Sequence, residues 1–97
     1  MEKQFATYMM ASQKNGTIYT GVTSGLVKRV WEHKSGVTKG FTKDHNVKLL
    51  VWFEIHENAE SAIRKEKRLK KYPRQWKINL IVEKNPEWKD LYDDICK

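Results

Sequence analysis

Tyr19, Arg29 and His33 lie close together along the chain, where a β-branched stretch passes through a glycine into an amphipathic helix. Arg29 and His33 are four residues apart, so a helix places both side chains on one side. A guanidinium binds anions, and a phenol and an imidazole can orient water or transfer protons. Taken singly, Tyr8 and Tyr19 are more typical of strand-filling aromatics and His33 of a helix-surface residue, but together with Arg29 they indicate a reactive site.

Glu66 is the most unusual residue of the second predicted helix. It falls near the centre of an apolar face that contains Ala62, Ile63 and Leu69. A buried carboxylate without a partner is strongly disfavoured, so a cation must meet it. The two candidates are a basic side chain such as Arg29, which would make a structural ion pair, and a metal ion.

Basic residues are concentrated around Glu66 and in one loop. Eight lie between Arg64 and Lys77, and a glycine-containing loop carries Lys39 and Lys43. Such runs either solvate helices or contact phosphates. The net charge of +7 favours a polyanionic partner such as nucleic acid, although ribosomal or membrane-surface binding fits the charge equally well.

Other site classes find little support in the sequence. His45 and His56 lack the spacing of zinc ligands, and Cys96 is the single cysteine, so neither a zinc site nor an intramolecular disulfide is expected. No stretch approaches the roughly 20 apolar residues of a membrane span, and the N-terminus does not read as a signal peptide. A cytoplasmic protein without membrane association is therefore the expectation.

The first two strands are predicted to form a hairpin over residues 4–11 and 17–22. Asn15-Gly16 favours a two-residue turn, which would set Ser12 opposite Tyr19. Tyr8 would then share a sheet face with Tyr19, offset by about 13 Å, so that the rings flank a ligand without touching.

The remaining elements alternate between helices and one strand. The first helix runs from Gly25 to Lys34 with Ser24 as cap and ends at Gly36; its apolar stripe is Leu26, Val27, Val30 and Trp31. A third strand covers 47–55. A second helix, capped by Asn58, buries Ala59, Ala62, Ile63 and Leu69 and ends before Pro73; a third runs from Pro73 to Asn85, and a short helix or turn lies in 87–95. With room for one core, residues 1–97 are expected to form a single domain.

These residues resemble the GIY-YIG nuclease superfamily, especially its small stand-alone bacterial members. The first motif corresponds to Ala6-Thr7-Tyr8 and the second to Tyr19-Thr20-Gly21, with ten residues between the tyrosines. "LVKRVWEH", "AIRKEKRLKKYPRQWKINLI" and "NPEW" are similar to the rest of that group, and the likeness covers about residues 5–92. Ala6, Thr7 and Thr20 depart from the glycine and isoleucines of the family motifs. The resemblance implies an α+β fold, a small three-stranded, mostly antiparallel sheet flanked by helices.

The resemblance also implies a site and an activity. Its catalytic positions fall on Tyr8, Tyr19, Arg29, His33 and Glu66, with Glu66 holding one Mg²⁺ or Mn²⁺ ion, a role that suits a single carboxylate. Tyr8 would contact the attacking water, Tyr19 and Arg29 the phosphate, and His33 would relay a proton or bind a phosphate oxygen. The expected DNA contacts are Lys39, Lys43, Arg64, Lys67, Arg68, Lys70, Lys71 and Asn85.

The activity implied is that of a metal-dependent DNA endonuclease in repair or recombination, with a target chosen by DNA structure or by a protein partner. Two alternatives remain open. The chain could be a nucleic-acid-binding module with weak or no turnover, or a basic domain that binds an acidic protein.

Overall fold

Three strands form one antiparallel sheet in the computed structural model, which describes residues 4–37, 40 and 45–97. The strands are β1 (Phe5–Ala11), β2 (Ile18–Thr23) and β3 (Leu49–His56), and their order in the sheet is β2-β1-β3. The helices are α1 (Leu26–Ser35), α2 (Ala59–Lys70), α3 (Arg74–Lys84) and the short α4 (Tyr92–Ile95). The predicted α+β fold, a three-stranded antiparallel sheet with flanking helices, is confirmed.

The central strand β1 sends alternate side chains into two apolar clusters, one on each face of the sheet. Ala6, Tyr8 and Met10 pack with Leu26 and Val30 of α1. On the other face, Met9 and Ala11 pack with Leu69 of α2 and Ile81 of α3. Because side chains alternate along a strand, α1 and the pair α2 and α3 lie on opposite faces.

The hairpin register differs from the predicted one by two residues. Met10, not Ser12, lies opposite Tyr19, and the Ser12 amide donates to the Thr17 carbonyl, which leaves a four-residue loop. Within that loop Asn15 adopts the left-handed conformation, with φ of 60°. A two-residue change keeps each side chain on its face. Tyr8 and Tyr19 therefore share a face as predicted, but they are much closer than the expected offset.

α1 presents a different side to the sheet from the one predicted. Leu26, Val30 and His33 are buried, whereas Val27 and Trp31 are exposed. Residues at i, i+4 and i+7 lie on one side of a helix, so burying His33 with Leu26 and Val30 turns the other two outward. Gly25 rather than Ser24 is the N-cap residue, and Gly36 ends the helix with φ of 74°, as its position predicted.

α2 begins and packs largely as the sequence indicated. The Asn58 side chain accepts a hydrogen bond from the Ser61 amide at 2.8 Å, and the Thr7 hydroxyl donates to the Ala62 carbonyl at 2.7 Å. Ala62 and Leu69 are fully buried. Ile63, predicted to be buried, is exposed instead because it lies at the rim of the contact between α2 and β2.

Segments after α3 complete the β3 side of the sheet. Leu50 and Trp52 pair with Met10 and Met9, so the register of β3 contains an irregularity at Val51. The Leu91 amide donates to the Leu50 carbonyl at 2.8 Å, and the Asp90 carboxylate accepts from the Leu50 amide at 3.1 Å. Within residues 4–37 and 45–97, every helix is too short or too polar to cross a bilayer.

Candidate active site

Gly21 brings the two tyrosines of the sheet together. It lies opposite Tyr8 in the pairing of β1 with β2. A Cβ at this position would lie 2.7 Å from the Tyr8 hydroxyl and 2.9 Å from the Tyr19 ring. The absence of a side chain therefore lets the Tyr8 ring lie over the neighbouring strand, where the Tyr19 ring reaches it.

Tyr8 and His33 form the buried base of the cluster. The Tyr8 hydroxyl is hydrogen-bonded to His33 Nε2 at 2.9 Å, and the two residues are 0% and 2% exposed. The single-residue interpretation of His33 as a surface histidine is therefore wrong. Its ring faces the sheet because α1 packs through the side that carries Leu26 and Val30.

Three rings pack against one another at this point. The centroids of Tyr8 and Tyr19 are 6.2 Å apart, those of Tyr8 and His33 5.8 Å, and those of Tyr19 and His33 5.3 Å. All three pairs are tilted, which is a favourable arrangement for aromatic rings at this separation. Tyr19 is only partly buried, so it forms the accessible side of the cluster.

Arg29 places a permanent positive charge beside the rings. Its side chain is 36% exposed, and its Nη1 lies 3.4 Å from the Glu32 carboxylate. A hydrogen bond to Tyr8 raises the pKa of Arg29. Because a guanidinium only donates, the Tyr8 oxygen accepts this bond, and the Tyr8 hydroxyl can still donate its proton to His33 Nε2.

Burial fixes the protonation of the two inner residues. It raises the pKa of Tyr8 to about 12, although the Arg29 guanidinium opposes the shift. Burial, together with the charge of Arg29, lowers the pKa of His33. At neutral pH Tyr8 is therefore a phenol and His33 a neutral imidazole.

Glu66 lies on α2, across the sheet from α1. Its side chain is 15% exposed and its carboxylate is 3.1 Å from Lys70 Nζ, so the structural ion pair considered from the sequence is made with Lys70. Glu66 shares its side of α2 with Ile63, which lines an apolar cleft with Val22 of β2. Glu66 therefore lies on the side of α2 nearer the edge strand β2, on the opposite face of the sheet from the Tyr19 ring.

Glu66 alone fits the ligand chemistry of magnesium better than that of a structural transition metal. Within the described ranges, no group of three or more His, Cys, Asp or Glu side chains is placed to hold a metal ion. Mg²⁺ keeps several waters and is often bound through one or two carboxylates and a phosphate. The Glu66 carboxylate is largely buried and is paired with the half-exposed ammonium group of Lys70. It can therefore serve as that ligand.

The predicted DNA contacts have different surroundings. Five of the predicted basic contacts, in α2 and directly after it, are exposed: Arg64, Lys67, Arg68, Lys70 and Lys71. Lys39 and Lys43 lie outside the described residues. Asn85 is 6% exposed; its amide donates to the Val51 and Lys89 carbonyls and its oxygen accepts from the Lys89 amide. These bonds give Asn85 a role in the fold, and its expected contact with DNA stays a prediction.

Two features of the site were missed by sequence reasoning. The close approach at Gly21 depends on the strand register, which the turn signal placed two residues away. Glu32, which pairs with Arg29, was a detectable signal because residues three apart are neighbours on a helix.

Comparison with known proteins shows similarity along most of the chain. A family model described as the GIY-YIG catalytic domain matches residues 4–79. A UPF0213 protein of Clostridium perfringens is 36% identical over 72 residues, which are 74% of this chain and 77% of that protein. A UPF0213 protein of Staphylococcus aureus is 32% identical over 84 residues, 87% of this chain and 100% of its own length.

A solved structure is also similar. The solution NMR structure of the UPF0213 protein BH0048 from Bacillus halodurans superposes with a TM-score of 0.56 at 26% sequence identity. The match covers 90% of this chain and 92% of that one. The similarity therefore includes the sheet and the helices that carry the cluster.

Proposed function

Because the chain belongs to the GIY-YIG catalytic-domain family, a family of nucleases, we propose that it is a divalent-metal-dependent DNA endonuclease. The observation that carries the proposal is the cluster of Tyr8, Tyr19, Arg29 and His33 around Gly21. Two phenols, a guanidinium and a neutral imidazole in contact are more than the packing of a sheet requires.

Arg29 and Tyr19 are the groups that contact the DNA phosphate. Both are partly exposed, whereas Tyr8 lies beneath them. The planar guanidinium binds two phosphate oxygens and stabilises the charge that develops on them. Besides contacting the phosphate, Tyr19 orients the attacking water, a role that the resemblance assigned to Tyr8, because the fully buried Tyr8 does not reach solvent.

Tyr8 and His33 lie beneath the two partly exposed groups and hold Arg29 in place. With its pKa at about 12, Tyr8 keeps its proton at neutral pH and does not serve as a base in its own right. Burial keeps the His33 ring neutral, so one of its nitrogens can act as a hydrogen-bond acceptor. The hydrogen bond between them holds the Tyr8 oxygen where Arg29 donates to it, and so fixes the guanidinium.

Glu66 is the residue that would hold the metal ion. When bound, Mg²⁺ or Mn²⁺ supplies charge stabilisation on the phosphate and lowers the pKa of a water molecule. β2 is an edge strand, so groups on the two faces of the sheet can approach a ligand around its edge. The ion pair with Lys70 compensates the charge of the carboxylate when no metal ion is bound.

The basic outer surface of α2 would hold the rest of the DNA. Lys67, Lys71 and Arg68 are exposed there, and such contacts make binding salt-dependent but not sequence-specific.

Nicking of supercoiled plasmid in Mg²⁺ and in EDTA tests the proposal. We expect nicking in Mg²⁺ only, its loss in Glu66→Gln, and a decrease of about a hundredfold or more in Arg29→Lys, which keeps the charge but loses the planar fork. Lys28→Gln, an exposed change on α1, is the matched control and should nick normally.

A second result would favour the alternative of a binding module. Salt-sensitive DNA binding by wild type and Glu66→Gln alike, without nicking in Mg²⁺ or Mn²⁺, would reject the endonuclease. Absence of DNA binding at low salt would leave the basic protein-interaction domain.

A further inference from the structure

A polar cleft of about 220 Å³ lies between β3 and α2, away from the tyrosine cluster. It is lined by Glu54 and His56 of β3 and by Ser61, Arg64, Lys65 and Arg68 of α2. A helix turns every 3.6 residues, which places Ser61, Lys65 and Arg68 on one side of α2 and Ile63, Glu66 and Lys70 on the other. The cleft is therefore separate from the proposed metal ligand.

Internal contacts hold the base of the cleft. His56 Nδ1 is 3.1 Å from the Ser61 hydroxyl, and His56 Nε2 is 3.0 Å from the Glu54 carboxylate. Lys65 Nζ lies 3.9 Å from the same carboxylate. Lys65 thus forms a long ion pair with the single acidic group that lines the cleft, whereas His56 Nε2 makes no hydrogen bond to it.

The two arginines are available to a ligand. Arg64 pairs with Glu60 at 3.0 Å, but both side chains are largely exposed, and such pairs are weak. Arg68 is exposed and forms no ion pair with any residue that the structure describes. Residues four apart on a helix are neighbours, so the two guanidinium groups can bind one anion together.

Size and charge indicate the ligand. Pockets for drug-sized molecules occupy about 300–1,000 Å³, so this smaller cleft suits a phosphate group better than a whole nucleotide. Three cations against the Glu54 carboxylate leave a surplus of positive charge. A phosphate monoester carries about −1.5 to −2 at pH 7, more than the single charge of a backbone phosphodiester.

We propose that this cleft binds a phosphate monoester and, resting on the proposed nuclease function, that its source is the terminal phosphate of a DNA strand. Lys67 and Lys71 lie on the outer surface of α2. A strand whose end occupies the cleft can cross this basic surface, about 10 Å wide, towards the side that carries Glu66. The cleft would then direct the nuclease to DNA ends.

Fluorescence anisotropy with labelled duplexes in EDTA tests the proposal, because no cleavage occurs there. Duplexes carrying a 5′-phosphate, a 3′-phosphate or no terminal phosphate are compared. We expect one of the two phosphorylated duplexes to bind about tenfold more tightly than the duplex without a terminal phosphate. Charge-assisted hydrogen bonds from the arginines would account for a difference of this size. Arg68→Gln and Arg64→Gln should reduce this preference below about twofold. Lys67→Gln, on the same helix, should weaken all three duplexes equally and keep the preference.

Equal binding of all three duplexes, or an unchanged preference in both arginine variants, would overturn the DNA-end proposal. Titration with inorganic phosphate, followed by amide NMR, distinguishes the two sources of the phosphate, a DNA end and a free phosphate monoester. Shifts at Ser61 and Arg68 without an end preference would assign the cleft to a free phosphate monoester, and no shifts would remove it as a phosphate site. Nicking of closed circular DNA, which has no ends, tests the nuclease function independently.

Discussion

Gly21 and Tyr8 face each other across β1 and β2, so that the Tyr8 hydroxyl occupies the space beside the Gly21 Cα. The tyrosine of the first motif and the glycine of the second motif are thus parts of one contact. The cluster depends on a backbone position at which even a methyl group would meet two rings.

Gly21→Ala should damage both stability and activity. The new Cβ would lie 2.7 Å from the Tyr8 ring, which is fully buried and has little room to move. Overpacking of this kind costs about 1–3 kcal/mol of unfolding free energy, measured by urea denaturation. Gly25→Ala is the control, since its Cβ would meet no described atom within 4 Å and should cost less. Equal effects of the two changes would contradict the proposed close approach.

His33 should make the protein less stable in mild acid. Its pKa is lowered by burial in the folded state, whereas the unfolded chain protonates near 6.5. Unfolding therefore takes up a proton below about pH 6.5, and stability falls as pH drops, by at most about 1.4 kcal/mol per pH unit. Urea unfolding at pH 7.5 and 5.5 measures this fall, which His33→Gln should reduce. Parallel pH curves for the two proteins would show that His33 does not contribute.

Tyr8 should make the protein less stable at high pH. Its folded-state pKa of about 12 lies above the value of about 10 in unfolded chains. Stability should therefore be lost as the pH rises through this interval, because the unfolded chain releases the phenolic proton first. Tyr8→Phe should flatten the loss between pH 9.5 and 11, and a steep loss retained by the variant would assign it to other groups.

Asn85→Ala should destabilise the fold without changing DNA affinity. The substitution removes three hydrogen bonds, among them one to the buried Val51 carbonyl. We expect a decrease of about 2–3 kcal/mol in unfolding free energy. Asn79→Ala, an exposed position on α3, should change it by less than about 0.5 kcal/mol. A loss of DNA affinity in folded Asn85→Ala would support this residue as a DNA contact.

Lys70→Met should tighten binding of Mn²⁺ by a few fold. If Glu66 holds the metal ion as proposed, Lys70, which pairs with its largely buried carboxylate, competes with that ion. Water proton relaxation in the absence of DNA gives the Mn²⁺ affinity directly. Lys71→Met, which removes an exposed charge directly after the same helix, is the control for the general electrostatic effect. If both variants bind Mn²⁺ with the same affinity, the ion pair with Lys70 does not control the affinity of Glu66 for the metal.

The elements of the fold could be predicted because local signals agree with the tertiary structure. Asn58 and Pro73 bound α2, and Gly36 ends α1. The hairpin register could not be derived, since Asn15-Gly16 fits both a two-residue turn and the end of the longer loop. Nothing local distinguishes the two.

The residues of the site could be predicted from the sequence, but how deeply they are buried could not. Resemblance supplied Tyr8, Tyr19, Arg29, His33 and Glu66, but burial depends on which side of α1 meets the sheet. Val27 and Trp31 are as apolar as Leu26 and Val30, so the periodicity allowed a stripe with His33 outside it. Packing around the tyrosines, which no single helix encodes, determines the side.

The contacts of Asp90 and Leu91 with Leu50 have a consequence for biosynthesis. A nascent chain can form the hairpin and α1 early, but until residues 90 and 91 have left the ribosome the Leu50 amide and carbonyl lack these partners. An exposed strand edge of this kind can pair with a neighbouring chain. The growing polypeptide thus presents this strand edge to neighbouring chains on the polysome until residues 90 and 91 have emerged.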